Sequence, residues 1–223
     1  MTHLPTGVLL LADGRSPTGG LAHSGGVEEA VRIGLVRDEA TLLELLVARL
    51  DTTGLVAAGL ATAACAAADD ADRLRLLDIE ADARMPSQAA RTASRTQGRG
   101  LLRLARSSWP HAAYVRNGPL GERPHHAVAL GVAVVAAGGT AQDAALLAAL
   151  ASVSGPASAA VRLLGLDPIA VTAVLARLGP QVERVAADAL QAVAAGEPPA
   201  TGHPLFDVLA ERHASQGNTL FTS

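Results

Sequence analysis

Apolar positions recur along this chain at helical spacing and never settle into alternation. After Asp38, Leu42, Leu43, Leu46 and Leu50 return every three or four residues while Glu39, Glu44 and Arg49 take the other side, which predicts a helix on the rim of a core. Its continuation through Gly59 is apolar almost all round and belongs at the centre. A stretch from Asp69 to Ala83 reverses the pattern: Asp69, Asp70, Asp72, Asp78, Glu80 and Asp82 stand against Arg73 and Arg75. It predicts an acidic surface helix. Between Ala127 and Gly139 the chain is again apolar throughout.

Punctuation residues divide these patterns into elements. Val27 to Ile33 forms a short helix stopped by Gly34, and Asp38 caps the next. Met85-Pro86 ends the acidic helix and puts Pro86 in the first turn of a fourth one. Gly118 to Pro124 reads as a loop, and a helix from His125 to Ala137 stops at Gly138-Gly139. Thr140 with Asp143 is a capping signature for its successor. Asp167-Pro168 starts another helix, Gly179-Pro180 breaks it, and a last long helix ends at Gly196. The string EPPATGHP then reads as a linker. The expectation is an all-α, single-domain bundle of roughly eight to ten helices over residues 1–196. Residues 197–223 are expected to be a linker and a partner-docking segment without a core of its own.

Composition supports the helical reading. Hydrophobic residues make up 49% of the 223 but aromatics only 2%, so the apolar content is mostly alanine and leucine. Cys65, the lone cysteine, sits in an alanine tract and reads as a small buried hydrophobe. The longest apolar stretches fall short of the roughly 20 residues a membrane span needs, and no leader pattern opens the chain. A soluble cytoplasmic protein is expected, without a membrane role. A net charge of -3 gives no global attraction to nucleic acid.

Chemistry concentrates in two places. Leu10 to Glu28 reads LLADGRSPTGGLAHSGGVE, with Gly19, Gly20, Gly25 and Gly26 around His23 and Ser24. Glycine at that density marks backbone with positive φ or close approach. Phosphate cradling is excluded, because all 18 basic residues are arginine and a phosphate loop needs lysine. His23 beside Ser24 admits a hydrolase reading, although no nucleophile elbow surrounds the serine. The second place is RTASRTQGRGLLRLAR, where Arg91, Arg95, Arg99, Arg103 and Arg106 share one helix face. Two partners fit that stripe: the acidic helix before it, or an acidic protein. Nucleic acid is a weaker third, for want of interleaved aromatics.

The LAD, SPTGG and AHSGG wording followed by Glu28 resembles the opening of the UreF family of urease accessory proteins. Arg91, Ala93, Ser94, Gln97 and Gly98 form a second point of resemblance. The helix around Ser158 and Arg162 is a weaker third, and the tail, with Pro204, Leu205, His213, Leu220, Phe221 and Ser223, is similar to the family's ending. Leu21 and Thr219 depart from it where an aromatic residue and an arginine are usual. The resemblance implies a non-catalytic chaperone and adaptor that joins the scaffold UreD (also called UreH) and recruits the GTPase UreG. That assembly would deliver nickel to apo-urease, this chain acting as a homodimer within the complex. Partner binding is then expected of Gly19, Gly20, His23, Ser24, Gly25, Gly26 and Glu28, of Arg91, Ser94, Arg95, Gln97, Gly98, Arg99 and Arg162, and of His213 and the apolar anchors Leu205, Phe206, Leu209, Leu220 and Phe221 in the tail. No cofactor or metal site of the chain's own is expected, since no HxxxH or CxxC spacing occurs. Nickel would be cargo of the complex.

Overall fold

The computed structural model describes residues 4–14, 23–115, 118–216 and 220–221. Among these the elements are helical, with no strand. In chain order they are α1 (Thr6–Ala12), α2 (Val27–Arg32), α3 (Glu39–Arg49), α4 (Leu55–Ala66), α5 (Ala71–Ala83), α6 (Gln88–Ser108), α7 (His126–Ala136), α8 (Ala141–Leu164), α9 (Pro168–Ala194) and α10 (Pro204–Ala214).

Helix α4 is the centre. Its alanine, glycine and leucine faces are buried nearly all round, against α7, α8 and α9. Small side chains allow close crossing: a Cβ on Gly131 of α7 would run into the Ala61 carbonyl of α4. Helix α3 reaches α4 through a π-helical stretch, Leu50–Gly54, so the two form one rod. There the Thr52 and Thr53 hydroxyls donate back to the carbonyls of Ala48 and Arg49, at 2.7 and 3.2 Å. Such back-bonding competes with the regular ladder and accompanies bends.

The sequence-derived caps hold. Asp38 Oδ1 accepts from the Thr41 amide at 2.8 Å, and Thr140 with Asp143 forms a reciprocal capping box. Cys65 is buried, and burial pushes its thiol up to about 11.

Four expectations need correction. The glycine-rich stretch does not begin at Leu10, because Leu10 to Ala12 close helix α1. Pro86 precedes α6 instead of sitting in its first turn; Ser87 is the cap, its hydroxyl accepting from the Ala90 amide at 3.0 Å. Helix α9 runs unbroken through Gly179-Pro180. Pro180 and Ala176, the residue whose carbonyl it deprives of a donor, are both exposed, so water can take the free acceptor. Buried Val171, Val174, Leu178, Val182, Val185 and Ala189 hold both halves to the core. Finally, the α3–α4 rod and α8 are long and apolar enough to cross a membrane, although the separate stretches looked too short. Both are core helices, buried over more than half of their most apolar windows.

Candidate functional site

Of the stretches that carry the family resemblance, the opening, the middle one around Ser94 and the tail lie far apart in sequence and meet at one junction, where α2, the first half of α6 and α10 come together. The glycine loop enters it first. Gly25 and Gly26 have φ of +58° and +90°, so their expected positive φ is met; Gly19 and Gly20 lie outside the described residues. A Cβ on Gly25 would sit 3.0 Å from Pro156 Cγ and 3.1 Å from Arg49 Nη2. Arg49 fastens this turn: its Nη1 donates to the Gly25 carbonyl at 2.8 Å and its Nε to the Ser152 carbonyl at 2.9 Å. The same guanidinium lies over the Phe206 ring of α10, 5.5 Å from its centre. Desolvation lowers its pKa to about 10. His23 and Ser24 are both buried, and neither lines the polar cleft beside α6.

Two neighbouring carboxylates on α2 reach the tail. Glu28 accepts from the backbone amides of Leu220 and Phe221, at 2.7 and 3.0 Å. Buried Glu29 takes Arg32 through both oxygens at 2.6 Å and Arg212 of α10 at 2.7 Å. Arg32 chiefly, with Arg212 helping against desolvation, holds the Glu29 carboxyl down at about 2. His213 Nε2 lies 3.0 Å from the Phe221 carbonyl, and Arg162 stands over the Phe221 ring.

The tail therefore differs from the expected docking arm. Phe206, Leu209, His213 and Phe221 are buried in their own chain and Leu205 is half-buried, while Leu220, at 78%, and Val208 project into solvent. The linker is anchored as well, since Arg84 donates to the carbonyls of Pro198 and Pro199. Helix α10 also completes the cap of α6: Glu211 accepts from Ser87 Oγ at 2.6 Å and from the Ala89 amide at 3.0 Å. Carboxylates at a helix N-terminus face its unpaired amides and positive dipole end. Apolar and charged contacts thus act together, and this is the physical reason the segment has a core.

On α6, Gly98 admits the incoming α7: a Cβ there would overlap the Pro124 carbonyl. Ser94 Oγ accepts from the His126 amide at 3.2 Å and pairs with His125 Nδ1 at 3.0 Å. The fully buried His125 has its other ring nitrogen 2.9 Å from Asp82 and its amide on Asp78 at 2.7 Å, wedging it between α5 and α6. Burial lowers its pKa. Arg95 spans the same gap, donating to Asp78 at 2.9 Å and Asp82 at 2.6 Å. Arg91 donates to the Met85 and Pro86 carbonyls, and Arg106 to that of Tyr114. The acidic helix is accordingly a partner of the stripe at Arg95. Arg99 and Arg103 are exposed and make no ion pair among the described residues, and Gln97 is half-buried. No group of three or more His, Cys, Asp or Glu among the described residues is placed to hold a metal ion.

Sequence reasoning missed Arg49, Glu29, His125 and Arg212 as organisers of this junction. Arg49 and Arg212 work across 24 and 183 residues respectively, and no local pattern signals that. Comparison with known proteins agrees with the motifs. Residues 36–179 match the UreF family model. The chain is 48% identical over 223 residues, the whole of both chains, to the urease accessory protein UreF of Mycolicibacterium vanbaalenii. It is 43% identical over 219 residues, 97% of each chain, to that of Mycobacterium tuberculosis. With matches that run end to end and motif stretches that interlock in the fold, the chain belongs to the UreF family of urease accessory proteins.

Proposed function

We propose that this chain is a non-catalytic chaperone and adaptor of urease maturation. In this reading it forms a cytoplasmic complex with UreD (UreH), as a homodimer within that complex, and recruits the GTPase UreG. The assembly then delivers nickel to apo-urease as GTP is hydrolysed, the metal being cargo and not a resident cofactor. The observation that carries the reading is the junction of α2, α6 and α10. Family motifs from both ends and the middle of the chain are spent there on holding α2, α6 and α10 together through buried ion pairs and caps. A preformed surface lowers the ordering cost of association, which is what an adaptor needs.

Reconstitution tests it. Apo-urease, nickel, GTP and the other accessory proteins should yield full urease activity with this chain and little without it. Equal activation in its absence would overturn the proposal, as would GTP turnover that follows the purified chain itself.

A further inference from the structure

The arginine stripe divides into a committed part and a free part. Arg95 is spent on Asp78, Asp82 and the Arg123 carbonyl. In return both acids are occupied, since Asp82 takes Arg95 and His125 on separate oxygens and Asp78 takes Arg95 and the His125 amide. Beside them opens a shallow cleft of about 420 Å³ lined by Asp82, Gln88, Arg91, Thr92, Arg95 and Arg123. Arg123 enters from the loop before α7 and is exposed, and among the described residues its guanidinium makes a single long contact, 3.5 Å to Thr96 Oγ1. Arg91 has given one nitrogen to carbonyls, while its Nε stands 3.9 Å from Asp82. Arg99 and Arg103 continue outward from the cleft without acid partners among the described residues.

We propose that this face binds an acidic segment of a protein partner, the cleft taking a first carboxylate against Arg91 and Arg123 and the next ones meeting Arg99 and Arg103. Spacing argues for a segment over a single anion. Successive arginines four residues apart stand about 6 Å from one another along a helix, and Arg91 to Arg103 spans about 18 Å. A single phosphate cannot reach such a row. Carboxylates on alternate residues of an extended chain repeat at about 6.6 Å, which matches it. Nucleic acid is disfavoured because no aromatic side chain lines the cleft on which a base could stack. The inference stands on this charge geometry, whichever assembly the chain enters.

Fluorescein-labelled hexaglutamate, titrated with the full chain at low ionic strength and read by anisotropy, tests it. Saturable binding should weaken at least tenfold in Arg99→Glu/Arg103→Glu and in Arg123→Glu, with melting temperatures unchanged. The milder Arg99→Gln/Arg103→Gln should lose part of the affinity, and the charge-matched Arg37→Glu/Arg177→Glu should bind as the parent does. No saturable binding, or equal loss in the Arg37/Arg177 control, would overturn the proposal. Tighter binding of hexathymidylate would make the face a nucleic-acid site. Displacement of the peptide by inorganic phosphate beyond that by chloride at equal ionic strength would make the cleft a phosphate site.

Discussion

A side chain on Gly98 has nowhere to go, because the Pro124 carbonyl occupies the place of its Cβ and is itself fixed at the entry to α7. Gly98→Ala should therefore separate α6 from α7 and cost on the order of 1 to 3 kcal/mol, read as a lowered urea midpoint with unchanged m-value. A variant as stable as the parent would show that the loop before α7 yields freely. Glu29 offers a different kind of test. Its folded carboxyl titrates near 2 and its unfolded one near 4.5, so the stabilisation is complete above pH 4.5 and is lost as pH falls toward 2. Because Arg32 and Arg212 are half-exposed, the contribution at neutral pH is about 2 kcal/mol at most. Glu29→Gln should remove it, flattening the stability profile between pH 4.5 and 2. An unchanged profile would assign the acid sensitivity to other groups.

At the scale of elements, the contrast between what the sequence disclosed and what it concealed follows the range of the interactions. Asp38, Thr140 and the glycine stops act within four residues, so the starts of α3 and α8 and the end of α7 could be read directly. The same holds for the helical period of the leucines and for Gly25 and Gly26. Pro180 misled because a local rule was overruled by burial along the rest of α9. The tail misled for a related reason: its apolar residues were visible, but their partners Gly26, Arg49 and Arg162 are not neighbours in sequence. Truncation after Gly202 should accordingly destabilise the protein instead of leaving an intact domain. Burying Phe206 and Leu209 contributes about 1.5 to 3 kcal/mol each, and a domain of this size loses roughly 2 to 4 °C per kcal/mol. A fall of the melting temperature by at least about 6 °C is expected in calorimetry. An unshifted transition would restore the picture of a detachable arm.

For the whole molecule, acidity should act before the carboxylates titrate. Burial, with some help from His23, holds His126 at about 4, and burial also lowers His125. Unfolded histidines bind protons near 6.5, so between that pH and about 4 the unfolded chain takes up more protons and stability falls as pH drops. Chemical denaturation at pH 7.5 and 5 should show the difference, and His126→Asn should reduce it. Identical stabilities at the two pH values would mean that the histidines open to solvent without unfolding.

The bond between Glu29 and Arg212 joins residues 183 positions apart, and it sets a clock on the chain's synthesis. At translation rates of 5 to 20 residues per second, roughly 10 to 40 s separate the appearance of the two side chains. Throughout that interval α2 has Arg32 but lacks Arg212, and Glu28 has no tail amides to accept. The helix made early is among the last to be secured, and a nascent chain paused before α10 would present α2 with Glu28 unoccupied and Glu29 held by Arg32 alone to whatever protein met it first.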